Sequence, residues 1–177
     1  MKFDPNKHHR RSIRLKGFDY AQSGGYFITI VTYHRDLLFG EVVNKEMRLN
    51  EFGKIADECW RAIPEHFPNV ELGAFVIMPK HVHGIVVINN DGRGTIYRAP
   101  TQEQFQKPVK GSIPTIIRTF KSAVTRLIGR EHNATGIWQK NYYEHIIRNH
   151  EDWDRIHQYI KSNPSMWAED EENPLKM

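Results

Sequence analysis

The chain has 177 residues, 39% of them hydrophobic, and its four Trp, seven Tyr and nine Phe suffice for the core of one domain. No run approaches the roughly 18 apolar residues of a membrane helix, and the single Cys59 excludes an internal disulfide framework and a cysteine-built zinc cage. The formal charge of +4 and an isoelectric point of about 9.2 argue for a polyanionic partner.

Met1 to Lys16 carries Lys2, Lys7, Arg10, Arg11, Arg14 and Lys16 against one acid, Asp4, and has no periodicity. It reads as a basic arm without the apolar stretch of a secretory leader, so the expected compartment is a reducing cytoplasm. Gly24-Gly25 marks a turn before Tyr26–Tyr33, β-branched and aromatic throughout, which predicts a strand. Glu41-Val42-Val43 and Met47-Arg48-Leu49 around Asn44-Lys45-Glu46 predict a short hairpin. Asn50 is placed to cap a helix to about His66, on which Phe52, Ile55, Ala56, Cys59, Trp60 and Ile63 recur at helical spacing. Two dense apolar runs follow, Glu71–Met78 and His83–Ile88, separated by Pro79-Lys80-His81-Val82. They predict adjacent antiparallel strands in the middle of a sheet.

Asn89–Gly111 is polar and predicts a loop. Ser112 and Pro114 open a helix with Ile113, Ile116, Ile117, Phe120, Val124 and Leu127 on one stripe, and Arg118, Lys121, Ser122 and Thr125 facing away. Between Lys107 and Arg130 there is no acid. Tyr142–Arg148 predicts a further strand, and Glu151 to about Ser162 a last helix stopped by Asn163-Pro164. The end is acidic, with Glu169, Asp170, Glu171 and Glu172 in a row. The order of elements predicts an α+β sandwich with a central antiparallel sheet.

Two patterns carry chemistry. In His81-Val82-His83 the two imidazoles point to one face of a strand, about 7 Å apart along it, and can converge on one cation. Gly84 leaves room for a close neighbour. Tyr159 and Asn163 are four residues apart and share one face of a helix, about 6 Å apart along its axis. On spacing alone each pattern has a plain structural alternative: two His lining a sheet, and a core tyrosine followed by a helix-stop asparagine. Tyr143, beside Glu144 and His145, is a rival nucleophile.

Taken together, Met78-Pro79-Lys80-His81-Val82-His83, then Trp138-Gln139-Lys140-Asn141-Tyr142-Tyr143-Glu144-His145-Ile146-Ile147-Arg148, then Tyr159-Ile160-Lys161-Ser162-Asn163-Pro164 resemble the single-tyrosine HUH transposases, and within them the REP-associated tyrosine transposases. The resemblance spans roughly Tyr26 to Trp167. It implies a ferredoxin-like sandwich of four to five antiparallel strands with helices packed on it. The implied organisation is a basic arm over residues 1–22, one catalytic domain over 23–167 and an acidic tail over 168–177. It implies that His81 and His83 hold a divalent metal, Mg²⁺ or Mn²⁺, with Asn163 as a third ligand where insertion-sequence relatives carry Gln. Tyr159 would be the nucleophile, and Glu144 and His145 would orient the ligands or touch DNA.

The activity implied is cleavage and strand transfer of single-stranded DNA beside hairpins through a 5′-phosphotyrosine, without ATP. Phosphate contacts would come from Arg10, Arg11, Arg14 and Lys16 of the arm and from Arg118 and Lys121. The implied assembly is a monomer or a homodimer on nucleoid DNA. Competing readings are a catalytically silent hairpin-binding regulator, a water-using phosphoesterase and a structural zinc protein.

Overall fold

The computed structural model describes residues 18–89 and 109–168. Most of the loop expected over Asn89–Gly111 lies outside them, as do Arg10, Arg11, Arg14, Lys16 and the acidic run from Glu169 to Glu172.

In chain order the elements are β1 (Gly24–Val31), β2 (Gly40–Val43), β3 (Glu46–Leu49), α1 (Glu51–Arg61), α2 (Ile63–His66), β4 (Val70–Met78), β5 (His81–Ile88), α3 (Ile113–His132), β6 (Tyr143–Ile147) and α4 (His150–Ser162). Four strands form one antiparallel sheet in the order β4-β5-β1-β6, and β2 and β3 pair separately. The expected α+β architecture with a central antiparallel sheet is thus present, with four strands. At the β2–β3 turn Asn44 and Lys45 both take positive φ, 52° and 67°, the left-handed pair that a two-residue hairpin requires.

Asn50 caps α1 as expected, its side chain accepting from the Gly53 N–H at 2.9 Å. The helix expected to run unbroken to His66 instead breaks at Ala62 and restarts as α2, with Pro64 in its first turn. Pro64 has no N–H for the Trp60 carbonyl, so the continuous ladder cannot pass it. Strand β5 starts at His81, two residues earlier than the apolar run suggested, because Pro79-Lys80 alone makes the turn. Both His therefore lie in the strand.

The continuous apolar runs of β1 and β5 are explained by burial on both faces. Opposed residues in an antiparallel pair share a face. The register places Tyr26, Ile28 and Ile30 opposite Val86, Gly84 and Val82 on one side, and Phe27, Thr29 and Val31 opposite Ile85, His83 and His81 on the other. Helices α1 and α3 cover the first side with the larger core, which includes Trp60, Ile116, Ile117, Phe120 and Val124. Helix α4 covers the second through a small cluster of Phe27, Ile85, Ile156 and Ile160, joined by Trp153. Gly84 faces the large core, where Trp60 lies so close that an added Cβ would sit 2.3 Å from its ring. Phe18 and Tyr20 also pack on that core, and the Tyr20 carbonyl accepts from the Ile113 N–H at 3.0 Å. Among the described residues no helix is long and apolar enough to cross a membrane.

Candidate active site

The small α4 side of the sheet is where the polar residues gather. His81 and His83, adjacent on that face of β5, lean together to a ring separation of 4.3 Å. The end of α4 brings Asn163 Oδ1 to 3.4 Å from His81 Nε2. One turn earlier, Tyr159 Oη lies 3.3 Å from His83 Nε2. The four side chains come from one chain and from the two patterns singled out in the sequence. His81, His83 and Asn163 are at most 5% exposed, whereas Tyr159 is 47% exposed. A buried ligand-type cluster thus underlies a hydroxyl that an incoming polymer can reach.

Neighbours fix each ring. Thr29, opposite His83 on β1, puts its Oγ1 2.8 Å from His83 Nδ1. When that hydroxyl accepts from Nδ1–H, the Nε2 lone pair is left facing Tyr159 Oη. Phe27 stacks on His83 at 5.4 Å and meets Tyr159 edge-on at 6.1 Å. Burial, reinforced by the neighbouring His81, holds the His83 imidazolium well below the usual histidine range, so the ring is neutral at neutral pH. A neutral imidazole is the form that binds a metal.

A third side of the site was missed by sequence reasoning. Lys80, in the β4–β5 turn, is 3% exposed, and its Nζ lies 5.7 Å from the centre of the Trp167 ring. Trp167 is itself buried, with its ring 6.1 Å from His81. A lysine and a tryptophan 87 positions apart leave no periodic trace in a sequence. The only available signal was the position of Lys80 beside the His pair.

Three expected site residues are placed otherwise. Glu144 pairs with Ile28 and so faces the large core, away from His81 and His83. There its charge adds to burial, Asp19 and Tyr20 in raising the Tyr26 phenol. Its expected role beside the ligands is corrected on that ground: in a strand, neighbours of His145 necessarily turn to the other side. His145, opposite Phe27, is on the α4 face, but its Nε2 is 2.7 Å from Asp152 Oδ2 in the first turn of α4. It tethers the helix rather than orienting either His. Lys121 does not lie free on the exposed face of α3. It is half-buried, with Nζ 2.5 Å from the Gln139 carbonyl and 3.3 Å from that of Asn141. Burial pushes its ammonium down to about 8, and it ties down the loop before β6. Arg118, one turn earlier, is exposed.

The α4 tether has a testable consequence. The His145 hydrogen bond, then Arg155, hold the Asp152 carboxyl at about 2, below its unfolded value near 4. A lowered carboxyl pKa adds stability above the unfolded value and loses it as pH falls toward the folded one. Wild type and Asp152→Asn should therefore melt at clearly different temperatures at pH 6 and converge between pH 4 and pH 2. A gap independent of pH in thermal melts would show that the carboxylate does not hold the helix.

No family model matches the chain. It is 41% identical over 173 residues to an uncharacterised protein of Haemophilus influenzae, covering 96% of each. It is 29% identical over 147 residues to another protein of that organism, assigned as a REP-associated tyrosine transposase, covering 82% of this chain and 73% of that one. The chain is similar to REP-associated tyrosine transposases in sequence and in fold. Its fold is that of a solved REP-associated tyrosine transposase bound to a REP hairpin, with a TM-score of 0.57 at 22% identity, over 88% of this chain and 73% of that chain. The His81-Val82-His83 and Tyr159–Asn163 motifs that carried the resemblance are the ones the fold gathers on the α4 side of the sheet.

Proposed function

We propose that the chain is a metal-dependent endonuclease and strand transferase for single-stranded DNA beside hairpins, with Tyr159 as nucleophile. The observation that carries this reading is the convergence of His81, His83 and Asn163 beneath an exposed Tyr159 hydroxyl. Tyr159 Oη attacks phosphorus, the bond from phosphorus to the 3′-oxygen breaks, and a 5′-phosphotyrosine remains. The phenol proton is given up, and the departing 3′-oxygen takes one. A later 3′-OH reverses the step, so phosphodiester energy is retained and no ATP is required.

His81, His83 and Asn163 would hold a divalent cation. Among the described residues no group of three His, Cys, Asp or Glu is placed to do so. A set of two neutral imidazoles and one amide oxygen carries no charge, which suits Mn²⁺ or Mg²⁺ completed by water and phosphate better than a closed zinc cage. When bound, the ion supplies Lewis-acid polarisation of the scissile phosphate. Thr29 and Phe27 keep the His83 ring in its orientation, and Lys80 packs over the Trp167 ring beside His81. Arg10, Arg11, Arg14, Lys16 and Arg118 contribute phosphate contacts.

Hairpin recognition is supported by the fold shared with a hairpin-bound transposase. The working form is a monomer or a homodimer, and the substrate is DNA of the nucleoid, in the cytoplasm. The test is a labelled hairpin oligonucleotide from the DNA flanking the gene, incubated with protein and Mn²⁺ or Mg²⁺ and run on a denaturing gel. A covalent protein–DNA band that requires the metal is expected. Hairpin binding in a native gel without any covalent band would instead identify a silent regulator.

A further inference from the structure

Five large hydrophobic side chains are exposed among the described residues, and three are tyrosines: Tyr33, Tyr143 and Tyr159. All three lie at the end of the sheet where the His pair sits. Tyr33 follows β1 just past the position paired with His81, and Tyr143 opens β6 opposite Thr29. The register makes one row across the sheet, His83, Thr29, Tyr143, with all three side chains on the α4 side. Two strand spacings put the Tyr143 Cα about 10 Å from that of His83. Tyr143 is 52% exposed and belongs to an edge strand. Exposed cations flank it in the chain at Lys140 and Arg148, and Arg155 of α4 reaches the Asp152 carboxylate beside His145 on the same face.

An exposed aromatic face a short step from a nucleophile, with cations near it in the chain, is an arrangement that holds an unpaired base while its backbone runs over positive charge. Core packing gives no reason for a tyrosine there, since the residue is half-exposed. Nor is Tyr143 placed as a nucleophile, because it is Tyr159 whose hydroxyl reaches His83.

We propose that Tyr143 is a stacking platform for one unpaired base of the single-stranded segment next to the phosphate attacked by Tyr159. The inference deepens the proposed function, but binding without metal tests it separately from cleavage. The probe is a hairpin oligonucleotide with a single-stranded flank, carrying 2-aminopurine at each flank position in turn, with full-length protein in EDTA. Wild type and Tyr143→Phe should quench the fluorescence strongly at one position. Tyr143→Leu, which keeps bulk without the ring, should lose that quench and bind about five- to a hundredfold more weakly. On a blunt hairpin without the flank, all three should bind alike. Quenching retained in Tyr143→Leu, a loss of equal size on the blunt hairpin, or no position-specific quench in wild type would overturn the assignment. A position-specific quench in a protein that never forms the covalent band would leave the platform standing and remove the nuclease reading.

Discussion

Tyr159→Phe is expected to abolish the covalent protein–DNA complex while leaving hairpin affinity within about twofold. The substitution removes one atom, the oxygen 3.3 Å from His83 Nε2, and keeps the ring that meets Phe27 edge-on. Substitution at a half-exposed position away from the core changes stability by about 0.5 kcal/mol or less, and the same energy in binding is about twofold. The chemical loss is of another order. With no oxygen on the residue the phosphotyrosine cannot form, and removal of a covalent nucleophile costs on the order of 10⁴-fold or more. A hydrolase that activates water over the same His pair would cleave at a similar rate without Tyr159. Cleavage by Tyr159→Phe above a tenth of the wild-type rate would therefore reject the tyrosine mechanism. Loss of the adduct in Tyr143→Phe instead would move the nucleophile to the strand.

The contrast between the two tyrosines shows what the sequence could and could not carry. Periodicity located the strands of the sheet and the helices on it, apart from the break between α1 and α2, and Asn50 and a hairpin turn at Asn44-Lys45-Glu46 were legible because caps and turns are local chemistry, although Glu46 falls in β3. His81-Val82-His83 was legible as a pair sharing one face. Strand order was not, since nothing in the apolar runs says that β1 sits between β5 and β6. That order decides function here. It sets Thr29 beside His83, sends Glu144 to the large core, and brings Tyr143 into the row of the site. Lys121 illustrates a second limit. Helical spacing correctly placed it off the apolar stripe, but only the fold brings the Gln139 and Asn141 carbonyls to its ammonium. Lys80 and Trp167 are a third case, since the closeness of the two residues depends on where α4 ends.

The largest stability effect is expected at Gly84. In the sequence it was a small residue after His83, with room for a neighbour, and in the fold that neighbour is Trp60. A Cβ on Gly84 would lie 2.3 Å from Trp60 Cζ2 and 3.1 Å from Phe75 Cβ. Trp60 is fully buried and packs edge-on against Phe120 at 5.1 Å, so it has nowhere to retreat. Overpacking of this kind costs about 1–3 kcal/mol and occasionally more; for a clash this short, about 3 kcal/mol is expected for Gly84→Ala. In a protein of this size that lowers the melting temperature by roughly 6–12 °C. The strand is shared with His83, so any backbone shift that relieves the clash also displaces the ligand pair. Trp60→Leu separates the causes. Alone it opens a cavity and is destabilising by itself. In that background the Gly84→Ala methyl enters space the indole has left, and its cost should fall to near zero. Urea denaturation of the four proteins yields the coupling energy directly. Additivity within about 0.5 kcal/mol would mean that the indole is not what excludes a side chain at Gly84. A large coupling would identify Trp60, on the far face of the sheet from Tyr159, as the residue that sets the height of the strand bearing His83.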